Sequence, residues 1–219
     1  MNARRLQALS FFLLLLCASL LVRAQQPKQS SAPLRTGRAD ATYRGGLVSP
    51  PFPKPRFTLT DTSGAPFDLW ARTQGSVTLL FFGYTHCPDM CPLQMYVIAD
   101  SLRKLPPAVA SQFKVVFVTT DPDRDKPAVL RAYLDHYDRH FIGLTGSQAA
   151  IDAAQISAKV DPAKKSAIRA DGAYEVGHAA FVLAYTRDNL AHVIYPVGVK
   201  PEDWVHDLPL LAAETWSNP

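Results

Sequence analysis

Cysteine is scarce in this 219-residue chain, which has three, at positions 17, 87 and 91. Cys17 lies inside an apolar N-terminal run and is predicted to be a small apolar filler there. The other two, Cys87 and Cys91, enclose three residues, and a disulfide across so short a gap would remove little entropy from the unfolded chain. A structural disulfide is therefore a weak explanation for the pair, and a chemical role is predicted.

The chain also lacks a strong excess of charge and the glycine-rich phosphate-binding signatures. It has 23 basic and 19 acidic residues, but three of the basic residues lie in the first 24 positions, which leaves 20 basic against 19 acidic residues in the remainder. A chain so close to neutral carries no basic stripe of the kind that a nucleic acid backbone requires. Neither GxGxxG nor GxxxxGK[ST] occurs. Nucleic acid is therefore not an expected partner.

Residues 1–24 have the pattern of an export signal. Two arginines near the start are followed by an apolar run from Leu6 to Val22 and by a Val-Arg-Ala exit that ends at Ala24. Two interpretations stay open. The signal is cleaved after Ala24, or it is retained as a membrane anchor, because the run is only slightly shorter than a spanning helix of about 20 residues. In both cases the protein is expected to work outside the cytoplasm.

The rest of the chain divides into a tether and one domain. Residues 25–54 are rich in Pro, Gly, Ser and Gln and are predicted to be a flexible tether. Residues 55–219 are predicted to fold together. Within them, Val77–Phe82 and Phe113–Thr119 are continuous apolar runs, typical of parallel strands that are buried on both faces.

Other segments of this domain complete an α/β pattern. A short hairpin is predicted near residues 57–69, helices alternate with the buried strands, and two further strands near 180–195 precede a last helix from about 202 to 215. This order describes a layered α/β domain, with parallel strands in its first half and a hairpin in its second.

The two cysteines follow the first buried strand directly. Pro92 is incompatible with an interior helical position, so the next helix is predicted to begin near Cys91, with Cys87 in the loop before it. Both sulfurs then lie beside a helix N-terminus, whose partial positive charge lowers the pKa of a thiol. Such a pair can attack a disulfide or hold a soft metal ion. Inert buried thiols are the alternative, disfavoured because open α/β sheets place their sites at the C-terminal ends of strands.

A metal site needs further ligands, and the chain has six histidines. Two thiolates suit Cu(I), and an imidazole would complete a set that also accepts Cu(II). His178 is the favoured candidate, because it stands at the entrance of an apolar strand that could run antiparallel to the one before Cys87. A structural histidine is the alternative. The other five are less favoured: His86 is interpreted as a loop residue, and His136 and His140 as a solvated helix end. His192 and His206 are less favoured because neither has cysteine or carboxylate company that indicates a metal site.

Four motifs in the same order resemble the Sco (SenC) family over about residues 55–211. They are Phe82 to Pro92 with its Thr-His-Cys-Pro-Asp-x-Cys-Pro core, Val118 to Asp125, Phe141 to Gly146, and the Val-x-His of Val176 to His178. The resemblance implies a thioredoxin-like three-layer fold with an added N-terminal β-hairpin. It also implies association with a membrane on its extracytoplasmic side, which in a bacterium is the periplasmic side of the inner membrane.

The resemblance further implies a copper site and a role in oxidase assembly. In the family the two cysteines and the later histidine bind copper, as Cu(I) and Cu(II), which here designates Cys87, Cys91 and His178. The family is implicated in maturing the binuclear copper site of cytochrome c oxidase subunit II, by delivering copper, by reducing that subunit's cysteines, or both. Other copper chaperones or thiol reductants are further expected partners.

Three functions therefore stay open at this point. A non-enzymatic copper metallochaperone is the leading one, a thiol–disulfide oxidoreductase with Cys87 as attacking and Cys91 as resolving thiol is the second, and a thiol peroxidase or redox sensor is the third. His178 separates them, because disulfide exchange needs no imidazole and a stable Cu(II) state does.

Two positions near the motifs raise separate questions. Ala179 replaces the serine that usually follows the family's histidine, which removes a hydroxyl near the site. Asp121 ends the second buried strand, so it is either a neighbour of the site or a turn residue before Pro122.

Overall fold

A sheet of eight strands runs through the part of the chain that the computed structural model describes, residues 43–213. Counting those outside the sheet, the strands of the described residues are β1 (Gly46–Pro53), β2 (Thr58–Asp61), β3 (Pro66–Asp68), β4 (Val77–Gly83), β5 (Phe113–Thr119), β6 (Ile142–Thr145), β7 (Lys164–Lys165), β8 (Val176–Gly177), β9 (Phe181–Tyr185) and β10 (Leu190–Pro196). The order across the sheet is β1-β10-β9-β4-β5-β6-β2-β3, and β7 and β8 form a separate two-stranded ribbon.

The helices lie between and after these strands. They are α1 (Leu69–Arg72), α2 (Met90–Arg103), α3 (Pro107–Ala110), α4 (Pro127–Asp135), α5 (Gln148–Ser157) and α6 (Pro201–Ala213). β4, β5 and β6 are parallel, whereas β9 is antiparallel to β4 and β10 is antiparallel to β9. The predicted division into a parallel half and an antiparallel half is therefore confirmed.

The central strand β4 supplies side chains to both faces of the sheet. All seven of its residues are buried, and they alternate, so that Phe81 belongs to one apolar cluster and Phe82 to the other. This alternation follows from the two-residue period of a strand. It explains why the predicted buried strand is an unbroken apolar run instead of an alternating one.

Helices cover both faces of the sheet and produce three layers. On one face, Met95 of α2, Leu130 of α4 and Trp204 of α6 pack in the cluster that contains Phe81. On the other face, Ile151 of α5 packs in the cluster that contains Phe82. The predicted N-terminal hairpin is β2–β3, which joins the sheet edge because β2 pairs with β6.

Strand β1 lies in the segment predicted to be a tether, and the boundary at residue 54 is wrong. β1 pairs antiparallel with β10 from Gly46 to Pro53, with a register shift after Leu47. Its three prolines obscured the strand in the sequence, and they are tolerated because β1 is an edge strand and needs fewer donors. Residues 1–42, which include the predicted leader, and residues 214–219 lie outside the described part of the chain.

Asp207 anchors the start of β1 to α6. Its buried carboxylate accepts hydrogen bonds from the main-chain N–H groups of Arg44, at 2.9 Å, and Gly45, at 2.8 Å, and from the Tyr195 hydroxyl at 3.1 Å. Gly46 pairs with Ile194, near the end of β10. Because β10 and β4 run in the same direction, the chain enters the sheet at the end where β4 finishes. Within residues 43–213, no helix has the length and apolar character needed to cross a membrane.

Candidate metal centre

Cys87 and Cys91 lie where β4 ends and α2 begins. Cys87 is half-buried in the connecting loop, and Cys91, the second residue of α2, is fully buried. Asp89 caps the helix by accepting from the N–H of Met90 at 2.5 Å. Pro92 is the third helical residue, where a missing N–H breaks no helical hydrogen bond. The prediction that Cys87 precedes the helix is therefore confirmed, and the helix begins one residue before Cys91.

The two thiols have opposite electrostatic environments. The pKa of Cys87 is lowered to about 4, first by a hydrogen bond from the Cys91 thiol and then by main-chain N–H groups at the start of α2, against the effect of burial. The N–H of Cys91 lies 3.4 Å from the Cys87 sulfur. The same thiol–thiolate bond, together with burial, raises the pKa of Cys91 far above its ordinary value. In the metal-free protein, Cys87 is therefore the thiolate and Cys91 the thiol.

This asymmetry predicts an acid-shifted reactivity profile for Cys87. We expect its alkylation by iodoacetamide in the metal-free, reduced protein to stay near its maximal rate through neutral pH and to reach half that rate at about pH 4, because only the thiolate reacts. Peptide mass spectrometry after timed quenching measures this rate. Cys91 serves as the internal control and should stay unmodified, because it is buried. A midpoint for Cys87 near the ordinary thiol value of about 8.5 would contradict the assignment.

His178 directs one ring nitrogen at the cysteines. Its Nε2 atom lies 3.4 Å from the sulfur of Cys91, and its Nδ1 atom lies 3.0 Å from the main-chain oxygen of Ala179. Because a carbonyl oxygen only accepts, Nδ1 carries the proton and Nε2 presents its lone pair to the sulfurs. A metal-binding histidine commonly donates its other N–H in this way. The bond uses the main chain, so alanine in place of serine at position 179 leaves it intact.

The ring of His178 is also held by aromatic side chains. The Tyr84 ring lies perpendicular to it, with 5.6 Å between centroids, and the Phe81 ring meets it at 70° and 6.1 Å. Both contacts have the edge-to-face geometry that aromatic pairs prefer. Phe81 belongs to β4, and Tyr84 is the first residue after β4. The strand that leads to the cysteines therefore also supports the histidine.

The three side chains form a group with the dimensions of a metal site. The ligand atoms of Cys87, Cys91 and His178 all lie within 4.8 Å of one another. For zinc, bonds of up to about 2.3 Å allow two ligands of one ion to stand up to about 4.6 Å apart, so these atoms need only a small adjustment to share an ion. Among residues 43–213, these are the three His, Cys, Asp or Glu side chains whose ligand atoms all lie within 4.8 Å of one another.

Gly83, the last residue of β4, leaves the space in which Cys91 lies. A Cβ atom at this position would stand 2.9 Å from the Cys91 sulfur and 3.0 Å from Phe117. We expect Gly83→Ala to lower the free energy of unfolding by about 1–3 kcal/mol through overpacking. It should also weaken metal binding, because the Cys91 sulfur must move. Thermal unfolding and metal titration measure these effects.

A glycine in another strand provides the control for this substitution. A Cβ atom at Gly46 of β1 would have its nearest contact at 3.4 Å, to Ile194, so Gly46→Ala should leave metal binding unchanged. Equal losses of metal affinity in the Gly46→Ala and Gly83→Ala proteins would contradict the role of Gly83.

Asp125 holds the cysteine loop, and the sequence analysis missed it. Its fully buried carboxylate accepts from the N–H of Thr85 at 2.9 Å, from the Thr85 hydroxyl at 2.6 Å and from the Thr119 hydroxyl at 2.6 Å. Thr85 stands two residues before Cys87. The available signal was the pair of acidic residues around Arg124 just after a buried strand, but nothing in the sequence showed what they contact.

Asp121 lies beside the site without belonging to the ligand group. It is fully buried, forms an ion pair with Arg124 and accepts from the Tyr174 hydroxyl at 2.9 Å. Its main-chain oxygen accepts from the N–H of Asp125 at 2.9 Å, which closes a turn. Both interpretations of this residue are thus partly correct.

The other five histidines lie outside the three-ligand group. His86 contacts the Thr85 hydroxyl at 3.0 Å, as a loop residue. His192 and His206 each have one aspartate within 2.8 Å in their own sequence neighbourhood, which makes a pair and not a group of three ligands. The remaining two, exposed at and after the end of α4, are His136 and His140.

Fold and site together define a thioredoxin-like domain with two cysteines and one histidine converging at the end of its central strand. The family model for SCO1/SenC matches residues 49–212. The chain therefore belongs to the SCO1/SenC family, and the resemblance seen in the sequence is confirmed.

Solved structures and a curated relative agree with this membership. The copper-bound structure of Bradyrhizobium japonicum ScoI is 35% identical, with a TM-score of 0.64, and covers 73% of this chain and 99% of its own. The apo Sco1 protein from Thermus thermophilus is 34% identical, with a TM-score of 0.70, and covers 79% and 99%. A putative copper-binding protein of Stutzerimonas stutzeri is 34% identical over 57% of this chain, and the match spans 60% of that relative's length.

Proposed function

We propose that this protein is an extracytoplasmic copper metallochaperone that carries copper on Cys87, Cys91 and His178 and helps to mature the binuclear copper site of cytochrome c oxidase subunit II. The observation that supports this most directly is the convergence of the three ligand atoms within 4.8 Å. Thiolate sulfur suits Cu(I), and the imidazole nitrogen extends the set to Cu(II).

Copper is favoured over zinc on two grounds. A set of two cysteines and one histidine also accepts zinc, but copper binds nitrogen and sulfur ligands more tightly than zinc in the general affinity order of divalent ions. The B. japonicum relative, 35% identical, was solved with copper bound. Proteins of the Sco family bind copper and take part in cytochrome c oxidase assembly.

The partial exposure of the site suits a carrier. Cys91 is fully buried and Cys87 is half-buried, so an incoming ligand reaches the ion from the Cys87 side. The exposed side of the three-ligand site is the position at which a ligand of the recipient would enter. A cysteine of the recipient can occupy this position before Cys87 is released. We therefore treat copper as cargo.

A second function, thiol–disulfide exchange with the cysteines of the same subunit, is favoured by the thiol chemistry. The pKa of Cys87 is lowered to about 4, and a protonated Cys91 lies beside it. In such an exchange the Cys87 thiolate would attack a disulfide sulfur of the substrate and release one substrate thiolate. Cys91, losing its proton, would then attack Cys87 in the mixed disulfide, which releases the second substrate thiolate and leaves a Cys87–Cys91 disulfide.

One experiment separates the two functions. The Cu(I)-loaded protein is mixed with the copper-free, reduced soluble domain of subunit II, and the metal-free reduced protein is mixed with the same domain in its disulfide form. Copper delivery predicts metal in the subunit II domain after separation, and none from the Cys87→Ser protein, which should not hold copper tightly. Disulfide reduction without copper transfer would instead assign the exchange function, and neither reaction would refute both.

The N-terminal segment supports a proposal about the cellular location. We propose that residues 1–24 export the protein and that it works attached to or near the membrane, where other copper chaperones or thiol reductants supply it. The support is the basic start, apolar run and small-residue exit of that segment. The intact mass of the protein recovered from its own cells distinguishes cleavage after Ala24 from a retained anchor.

A further inference from the structure

The loop of residues 121–125 is bonded to both segments that carry the three site residues. At one end, Asp125 holds Thr85 in the cysteine loop. At the other, Asp121 and Arg124 hold the segment that leads to His178. We propose that Asp121 and Arg124 are positioning residues that place His178 against the two sulfurs, and so decide whether bound copper has two protein ligands or three. This inference rests on the proposed function.

Tyr174, four residues before His178, makes three contacts with Asp121 and Arg124. Its hydroxyl donates to Asp121 at 2.9 Å, the guanidinium of Arg124 lies 3.7 Å from its ring centroid, and Arg124 donates to its main-chain oxygen at 3.3 Å. Arg124 is in turn paired with Asp121. The carboxylate of Asp121 is fully buried and Arg124 is partly exposed, so solvent screens this charged pair less than a pair on the surface.

The other strand of the ribbon is tied to the same carboxylate. Lys165 of β7 lies opposite Val176 of β8, and its ammonium group stands 3.4 Å from Asp121. Each strand of the ribbon has only two residues, and an isolated two-stranded ribbon has marginal stability in water. The position of β8, and of His178 directly after it, therefore depends on this anchor together with the burial of Val176 in the core.

Arg124 also reaches the aromatic support of the histidine. Its guanidinium stands 5.8 Å from the Tyr84 ring, and the Tyr84 ring meets the edge of the His178 ring. Arg124 thus contacts both Tyr174, in the segment before β8, and Tyr84, which packs on the imidazole of His178. Loss of its partner Asp121 would loosen both contacts.

The cysteines have anchors of their own. Cys91 lies in α2 and is packed against the end of β4, while the Cys87 loop is held through Thr85 by Asp125. Neither anchor uses the side chain of Asp121; its main-chain oxygen closes the turn to Asp125, and Asp121→Asn leaves that oxygen in place. A change at Asp121 should therefore displace the imidazole and spare the two sulfurs.

The test compares Cu(II) and Cu(I) affinities of the full chain carrying Asp121→Asn or Tyr174→Phe. We expect Cu(II) affinity to fall about 10–100-fold in Asp121→Asn, the range typical for loss of an outer partner of a metal ligand, and by less in Tyr174→Phe. Cu(I) affinity should stay within about twofold. Asp135→Asn is the matched control, because Asp135 is an exposed residue of α4 whose ion pair is with Arg131 of the same helix. It should leave both affinities unchanged.

A double-mutant cycle separates positioning from general damage. In the His178→Ala background, Asp121→Asn should cause no further loss of Cu(II) affinity, because the imidazole that it positions is gone. Equal losses of Cu(I) and Cu(II) affinity, or a full additional loss in the His178→Ala background, would overturn the proposal. Tyr174→Phe removes a single hydroxyl and keeps the test valid if Asp121→Asn unfolds the domain.

A measurement on the metal-free protein makes the inference independent of copper. Amide hydrogen exchange should become faster at Val176–Ala179 in both variants and stay unchanged at Thr85–Cys87. Unchanged exchange at Val176–Ala179 would refute the positioning role whatever the copper result. If the wild-type protein bound no copper through Cys87, Cys91 and His178, the proposed function would fail, while this exchange result would still decide the positioning role.

Discussion

Replacing Cys87 by serine is expected to abolish tight copper binding. Cys87 is the thiolate of the pair, with a pKa lowered to about 4, so the substitution removes the sulfur that is ready to bind the metal at neutral pH. A serine hydroxyl is a hard ligand that stays protonated, and Cu(I) prefers soft sulfur. The loss of copper affinity should be larger than the loss of about 10–100-fold that follows when a residue contacting a metal ligand is replaced.

Competition with a chromophoric Cu(I) chelator measures this loss. Cys17→Ser in the full-length chain is the matched control, because Cys17 is the third cysteine and lies in the predicted leader; it should keep one copper ion per chain. Stoichiometric, tight copper in a protein carrying both Cys87→Ser and Cys91→Ser would place the site elsewhere.

Replacing His178 by alanine is expected to separate the two oxidation states of copper. Cu(II) is harder than Cu(I) and prefers nitrogen ligands alongside sulfur, and the Nε2 atom of His178 stands 3.4 Å from the Cys91 sulfur. The variant should lose the thiolate-to-Cu(II) charge-transfer absorption and bind Cu(II) far more weakly. It should still bind Cu(I) through Cys87 and Cys91.

His86→Ala is the control for this substitution. His86 adjoins Cys87, but its ring contacts Thr85 and the carboxylate of Asp125, so its loss should leave the Cu(II) absorption in place. An unchanged Cu(II) spectrum in the His178→Ala protein would remove His178 from the site. Impaired oxidase maturation in that variant supports copper delivery, and normal maturation supports disulfide exchange.

Local patterns in the sequence were sufficient to predict several strands and helix starts. The apolar run Phe113–Thr119 was predicted as a strand and is β5 with the same limits. Serine is also a favoured residue at the start of a helix, and the hydroxyl of Ser147 accepts from the N–H of Ala150 at the start of α5. Such features depend on residues within a few positions of one another, so propensity and periodicity report them.

Elements defined by distant partners were harder to predict. β1 has no apolar periodicity and contains three prolines, and it is a strand because β10 lies beside it. The carboxylate of Asp207 joins residues more than 160 positions apart, and no local pattern carries that information. The same limit explains why Asp125 was missed.

For the candidate site, the sequence by itself singled out the three side chains that the fold brings together and determined that Cys87 lies in the loop between a buried strand and a helix. The tertiary structure alone decided which of the two thiols is ionised, which nitrogen of His178 faces them and which buried carboxylates hold the two segments. Cys91 and His178 are separated by 87 positions, and a pKa or a tautomer depends on distances and burial that appear only when the chain is folded.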